Sequence, residues 1–328
     1  MVAVAPAVCP PPHTAPPSPR PLRRAWAALS RLALLATLLC VVAPQALAGW
    51  LILDVLDVGQ GDAILIRAGG RVVLVDAGDR DADTLAQLRT LGVTGIDLLV
   101  SSHPHADHIG GMEAVVRALP TKRLLDNGMP HSTVTYRRFM EAIEAIGVQY
   151  VTARPGLRIG LGDGAALRVI GPPQPALTGT RSDLNSNSVV LMLEHGEVRV
   201  LLTGDAEEPT EAWLATQQLG RVDVLKVAHH GSNHSSTKPF LDAIQPKVAL
   251  ISCGRSNRYG HPGEHALRRL EAAGATVYRT DQSRHIRLIS DGSQIDLFEG
   301  DLAALGPDWP LPLLGDPPLS PSPAEATP

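Results

Sequence analysis

The stretch SSHPHADHIGG, residues 101–111, places His103, His105, Asp107 and His108 within six positions, directly after the apolar run IDLLV. A His-x-His on a loop after a strand can aim two imidazoles at one ion, and the adjacent Asp107–His108 pair can aim at a second ion beside it. Imidazole nitrogen and carboxylate oxygen are donors that zinc and similar divalent ions accept. A dinuclear site of that kind clamps both the attacking and the leaving oxygens of a phosphate. Two further stretches offer the rest of such a site. LLTGDAEE ends a β-run on Asp205, where a carboxylate could bridge two metals, and VLKVAHHGSNHSS ends an apolar strand on His229 and His230. A lone histidine at a strand end is more often structural, but a pair in a chain that already holds His-x-His-x-Asp-His reads as ligands. The expected cofactors are two divalent metal ions.

The elements that must position these residues alternate β-rich and helical segments from Trp50 to about Glu299. WLILDVLDV, DAILIRA and RVVLVDA read as three successive strands, with RAGGR as the hairpin turn between the last two. DADTLAQLRTLG has helical spacing and a glycine stop, IDLLV is a short buried strand, GGMEAVVRALP a helix, KRLLD a strand and TVTYRRFMEAIEAIG a helix. AALRVIG, NSVVLMLEHG and EVRVLLTG form a second set of strands, the last two joined at HGE. Strand–helix units follow: EEPTEAWLATQQLG, VDVLKVAHH, TKPFLDAIQP, KVALISC and EHALRRLEAAG. TVYRT, HIRLIS and SQIDLFE close the pattern as strands. Two β-rich halves, each followed by strand–helix units, predict an α/β fold built as a four-layer αββα sandwich within one domain, residues 49–300. A dinucleotide-binding doubly wound sheet is excluded, because no G-x-G-x-x-G opens a helix.

The ends read differently. Residues 1–48 contain four arginines and no acid, then LALLATLLCVVA and ALAG. That is the pattern of a signal peptide cut after Ala48, or of an N-terminal anchor if it is not cut. The chain is therefore expected to be exported, periplasmic or extracellular, or held in the cytoplasmic membrane facing outward. Past Ala48 only Cys253 remains, so neither an internal disulfide nor a cysteine zinc site can form. Residues 301–328 read as a Pro-rich disordered tail. The net charge of −4 is carried by the ends: residues 49–290 hold 25 Lys and Arg against 26 Asp and Glu, and residues 291–328 hold seven acids and no base. A near-neutral core without a basic stripe, in a chain with 3 % aromatic residues, stands against nucleic acid, so that a short or single-stranded substrate fits better than a long duplex gripped along its length.

HPHADHIGG, LLTGD and KVAHHGS resemble the successive metal motifs of the metallo-β-lactamase fold. DVGQGDA (57–63), NSNSVVL (185–191) and NRYGHP (257–262) narrow the resemblance to the lactamase-like domain of ComEC-type competence (DNA-uptake) proteins. The match covers about 250 residues, Trp50 to Glu299. It implies two facing sheets flanked by helices, metals at the sandwich edge and metal-dependent phosphodiester hydrolysis, with removal of one DNA strand during uptake as the family role. It also implies His103 and His105 on the first metal, Asp107 and His108 on the second, Asp205 bridging, and His229 or His230 completing the second site. His229 is closer to its strand, which favours it. Asp76, ending RVVLVDAG, matches the family's acidic residue behind the metal loop, where it would fix a histidine tautomer; as part of Asp-Ala-Gly it also reads as a turn residue. Many members of the broader fold supply a further histidine where this chain reads NSNS, so the first site is expected to be weak and the ions to be Zn or a harder ion such as Mn. Competence channels carry many membrane spans and this chain has only its leader, so it is not expected to form a channel.

The chemistry expected of this set is hydrolysis. Asp107 or Asp205 would orient the water, and His261 on the loop RSNRYGHP would protonate the leaving group. Asn185, Asn187, Ser232, Asn257 and Arg258 are the candidate substrate contacts. The same loop also reads as a turn in which Tyr259 packs, and GSNHSSTKP as either an anion-binding helix start or an ordinary cap. The expected partner is nucleic acid or another phosphodiester, with no obligate protein partner, and with a membrane only if the leader stays. The alternatives are a hydrolase of another ester (phosphocholine, a cyclic nucleotide, a lactone or a β-lactam) and a non-catalytic DNA-binding module. The lactam and lactone are disfavoured because NSNS lacks the first-site histidine.

Overall fold

The computed structural model describes residues 49–306; the expected leader, and the tail beyond Gly306, lie outside them. β1 (Leu51–Val55), β2 (Ile64–Ala68) and β3 (Arg71–Val75) form an antiparallel meander. RAGGR closes the β2–β3 hairpin as predicted. Gly69 and Gly70 both sit at positive φ, 55° and 71°, which a two-residue hairpin turn requires and glycine adopts without strain. The sheet continues in parallel through β4 (Leu98–Ser101), β5 (Arg123–Asp126) and β6 (Gln149–Thr152).

The chain then crosses to a second sheet. β7 (Arg158–Gly162), β8 (Ala165–Gly171), β9 (Val190–His195) and β10 (Val198–Leu202) pair antiparallel; β11 (Val224–Lys226), β12 (Val248–Ile251) and β13 (Thr276–Arg279) add in parallel. β14 (His285–Ser290) and β15 (Ile295–Gly300) return to the first sheet beside β1. The orders are β15-β14-β1-β2-β3-β4-β5-β6 and β13-β12-β11-β10-β9-β8-β7.

Period-2 side-chain alternation divides the apolar residues among three layers. Leu53, Val55, Ile64, Ile66, Val73 and Val75 meet Val169, Leu191, Leu193, Val200 and Leu202 between the sheets. Leu65, Leu74, Leu99 and Leu124, on the other face of the first sheet, pack against Leu88, Val115, Phe139 and Ile143 of the helices. Met192, Leu201, Leu225 and Ile251 of the second sheet pack against Leu214, Phe240, Leu241 and Leu270. Strands covered on both faces read as nearly continuous apolar runs, which is why LILDV and VVLV carry so little polarity. Each fully buried aliphatic side chain contributes about 1.5–3 kcal/mol, so the core stands without a disulfide; Cys253 is a buried free thiol.

The domain runs past the expected boundary at residue 300. Leu302–Leu305 forms a helical turn whose two leucines are buried, and the wholly buried Arg287 donates to the carbonyls of Leu305 (2.6 Å) and Gly306 (3.1 Å). Arg287 is itself placed by a 2.5 Å bond to the buried Asp54, so a salt bridge inside the sheet recruits the segment that composition had assigned to the tail. Among the described residues, no helix is long and apolar enough to cross a membrane.

Candidate metal centre

Five strand ends converge on one edge of the sandwich, at the carboxyl ends where α/β sheets place their ligands. Asp76 follows β3, His103–His108 follow β4, Asp205 follows β10, His229 and His230 follow β11, and the loop to His261 follows β12. The 56–63 loop after β1 closes the edge from the side. There Gly61 (φ 137°) is required, because a Cβ at this position would lie 2.2 Å from the Asp107 carbonyl. Asp62 N–H then donates to that same carbonyl at 3.2 Å, tying the loop to the histidine motif.

The predicted ligands form overlapping groups. His103, His105 and Asp205 bring one donor atom each within 4.8 Å of one another, as do Asp107, His108 and His230, and Asp62, His108 and Asp205. Asp205 lies between them: its Oδ2 is 3.6 Å from His103 Nε2, and its Oδ1 is 3.2 Å from His108 Nε2 and 3.6 Å from His230 Nε2. One carboxylate oxygen thus faces each half of the site. His230 Nε2 is also 3.4 Å from Asp107 Oδ2. His229 is partly exposed, with Nε2 3.7 Å from Asp205 Oδ2 and its other nitrogen beside Glu207. The geometry therefore puts His230, not the strand-proximal His229, in the cluster with Asp107.

Hydrogen bonds behind the site set the tautomers. Asp76 Oδ2 lies 2.8 Å from His108 Nδ1 and accepts from Ser102 Oγ at 2.6 Å, while its Oδ1 accepts from Ser102 N–H at 2.8 Å. Ser102 Oγ spends its proton on Asp76, so its 3.1 Å contact with His103 Nδ1 is one in which the imidazole donates. The Ser252 carbonyl accepts from His230 Nδ1 at 3.0 Å. All three imidazoles are thereby turned with Nε2 toward the cluster. His108 Nε2, His230 Nε2 and Asp205 Oδ1 are buried without a hydrogen-bond partner. Buried polar atoms are rarely left so, and three convergent ones of ligand type fit divalent ions.

Charge makes the same point. Burial opposes a proton on His108, yet Asp205, Asp76 and Asp107 hold its pKa well above the ordinary value. Burial is outweighed at His230 too, by Asp205, Asp107 and Asp62, which bring it up to about 10. Asp205 lies well below the usual carboxylate range despite burial, because His108, His230, His229 and His103 surround it. A buried cluster of carboxylates that drives protons onto its histidines is one that demands cations. Beneath it Lys226 and Asp62, each about 1 % exposed, form a 2.8 Å ion pair.

A cleft of about 290 Å³ opens over the cluster, lined by Gln60, His105, Asp107, Asn185, Asp205, His229, His230, Tyr259 and His261. Asn185 reaches it, with Oδ1 buried and unpartnered. Other candidate substrate contacts do not. Asn187 is fully buried and its amide is consumed by the backbone of Leu177 and Asp183. Ser232 is buried and accepts from His234 N–H. Asn257 staples its own loop, donating to Gly254 and His261 carbonyls and accepting from Tyr259 and His261 N–H. Arg258 lies over the Tyr259 ring at the surface.

His261 lines the cleft, but burial and the neighbouring His230 and His229 push its pKa down to about 4. Gln60 Nε2 lies 3.4 Å from its Nδ1, and Gln60 Oε1 accepts from Gly254 N–H, which fixes the amide. His261 is then a neutral Nε2–H donor at pH 7, not the protonated acid expected from the loop.

Sequence reasoning passed over Asp62, Lys226, Gln60, Ser102 and Glu207. The signal for Lys226 was present: one lysine inside the apolar strand VLKVA must find a buried counter-charge.

Residues 56–255 match the model of the metallo-beta-lactamase superfamily. The chain is 33 % identical over 242 residues to Recombination protein 2 of Haemophilus influenzae, covering 72 % of this chain and 28 % of that one. It is 30 % identical over 260 residues to ComE operon protein 3 of Bacillus subtilis (71 % and 32 %), and 33 % identical over 233 residues to Competence protein ComA of Neisseria gonorrhoeae (69 % and 30 %). It spans less than a third of the length of these curated relatives. Among solved structures, the E377D mutant of the CmlA beta-hydroxylase shares the fold, with a TM-score of 0.50 at 16 % identity over 73 % of this chain and 53 % of that one.

Proposed function

The chain belongs to the metallo-beta-lactamase superfamily, and from that premise we propose that it is a metal-dependent phosphodiesterase acting on nucleic acid. A metal-dependent hydrolase is what the family and the ligand groups support at the coarser level. The observation that carries the finer reading is Asp205, which offers one oxygen to each half of a two-part ligand cluster on the floor of an open cleft. His103, His105 and Asp205 would hold one ion; Asp107, His108, His230 and Asp205 the other. Divalent ions there would supply Lewis acidity, lowering the pKa of water and offsetting phosphate charge.

The chain's own residues do the rest. Asp107, held well below the usual carboxylate range despite burial by His108 and His230, accepts hydrogen bonds and orients water. Neutral His261 donates from Nε2 to a phosphate oxygen. Asn185, in place of an imidazole at the rim, gives the site a weak neutral donor set, which suits a charged phosphate better than a lactam. The names of the relatives, a recombination protein and two competence proteins, favour DNA as the substrate. The leader pattern of residues 1–48 favours action outside the cytoplasmic membrane.

The test is metal content by mass spectrometry and hydrolysis of bis-p-nitrophenyl phosphate, with Asp107→Ala and His103→Ala as controls. Stoichiometric metal with turnover lost in both variants is expected. Metal without turnover would refute the phosphodiesterase, and neither metal nor turnover would leave a binding module.

A further inference from the structure

The alternative reading of the 255–262 loop, a turn in which Tyr259 packs, does not describe it: 55 % of Tyr259 is exposed, at the lip of the cleft. Its loop does not need the ring for stability. Four hydrogen bonds of Asn257, to Gly254 O, His261 O, Tyr259 N–H and His261 N–H, hold the turn (2.9, 2.5, 3.1 and 3.0 Å). The ring instead stacks on His261, with centroids 5.8 Å apart and planes 25° from parallel. His261 in turn meets His229 edge-on at 5.4 Å, inside the cleft. Arg258 donates to the Tyr259 hydroxyl at 2.9 Å, and its guanidinium lies 5.1 Å from the ring centroid. An anchored and largely exposed aromatic ring, with a surface guanidinium lying over it that an incoming base would displace, therefore stands beside the site where a phosphodiester would be held.

We propose that Tyr259, backed by His261 and flanked by Arg258, is a stacking platform for an unpaired nucleobase next to the phosphate in the cleft. The inference rests on the phosphodiesterase reading and assigns to one residue the preference for single-stranded nucleic acid that the sequence suggested, with little discrimination among bases. Every base offers a π-face, so stacking tolerates sequence, while a base inside a duplex is already stacked and cannot reach the platform. Arg258, on its flexible stem at the surface, serves the backbone phosphate that follows the stacked base. A phosphodiester without an aromatic group, such as a choline ester, gains nothing from this surface.

The experiment compares wild type, Tyr259→Ala and Tyr259→Phe in the full chain. Fluorescence anisotropy measures binding of a labelled thymidine 12-mer and an abasic 12-mer to protein kept in chelator, and KM and kcat for both are measured after metal loading. Alanine is expected to weaken binding of the thymidine strand about 5- to 100-fold and to raise its KM, with phenylalanine close to wild type and the abasic strand bound equally by all three. Equal weakening for both strands, no weakening, or loss in Tyr259→Phe matching that in Tyr259→Ala would overturn the platform. If base-dependent binding persists while loaded wild type cleaves neither strand, the platform stands and the phosphodiesterase fails.

Discussion

Replacing Lys226 by Met should be among the most damaging single changes in the molecule, although Lys226 lies below the ligand cluster and outside the cleft. Its Nζ sits 2.8 Å from Asp62 Oδ1 and 2.9 Å from Oδ2, and donates to the Val227 carbonyl at 3.0 Å. Burial alone would raise the pKa of Asp62; Lys226 first, then His230 and His108, bring it down to about 2 from 3.8. A carboxylate depressed in the folded state adds stability that is present above pH 3.8 and lost as pH falls toward 2. That difference amounts to about 2.5 kcal/mol by linkage. Methionine keeps the stem's volume but leaves a buried charge alone, and breaking a buried pair from one side costs about 3–5 kcal/mol.

Urea unfolding followed by circular dichroism, in chelator at pH 7, should therefore show Lys226→Met destabilised by about 3–5 kcal/mol at an unchanged m-value. The double variant Asp62→Asn/Lys226→Met should recover about half of that loss, because no charge is left stranded. Lowering the pH should narrow the deficit of Lys226→Met as the lone carboxylate takes up a proton. A loss below about 1 kcal/mol, or additive single and double variants, would refute the claim that the pair is coupled.

The remaining predictions concern the site and its support. His230→Ala should lose about one equivalent of bound metal while His229→Ala keeps both, read by mass spectrometry of protein purified without chelator; the reverse pattern would reinstate the strand-proximal histidine. Asp76→Ala strands the Ser102 N–H, the Ser102 hydroxyl and His108 Nδ1, and should weaken metal binding about 10- to 100-fold in a competition titration against a chromophoric chelator. Glu211 is buried and, although Ser236 and Thr237 N–H donate to it, burial raises its pKa to about 7 from 4.5. Its stability contribution is complete below pH 4.5 and is lost as pH rises through 7. Wild type should accordingly lose about 3 kcal/mol relative to Glu211→Gln between pH 4.5 and 8.5 in urea titrations, and parallel pH profiles would rule this out.

What was legible in the chain follows the range of the interactions involved. His103, His105, Asp107 and His108 arrive on one short loop after one strand, so their spacing alone announces a ligand set. The buried strands were readable because coverage on both faces leaves them almost wholly apolar. β6 and β7 were not, and both lie at sheet edges with much of their surface exposed, where the demand for apolar residues is weak. The helical turn after residue 300 was missed for a different reason: its anchor, Arg287, lies in another strand, and nothing within GDLAALG reports it.

The choice between His229 and His230 marks where reading along the chain gives out. Both residues take left-handed backbone, φ 51° and 54°, so neither continues the strand, and proximity to it carries no weight. The decision is made by partners elsewhere: the Ser252 carbonyl after β12 turns the His230 ring, and Asp62 Oδ1 from the loop after β1 stands 3.4 Å from the same Nδ1. Asp62 is held by Lys226, 164 positions away. Three loops from both sheets must be in register before one imidazole can face Asp107. Asn187 makes the converse case: beside Asn185 in sequence it reads as an equivalent amide, but its side chain is consumed holding the 177–187 loop, and only Asn185 reaches the cleft. Residue type and spacing can announce that a metal site exists, while membership in it is settled by hydrogen bonds that close only when the two sheets meet.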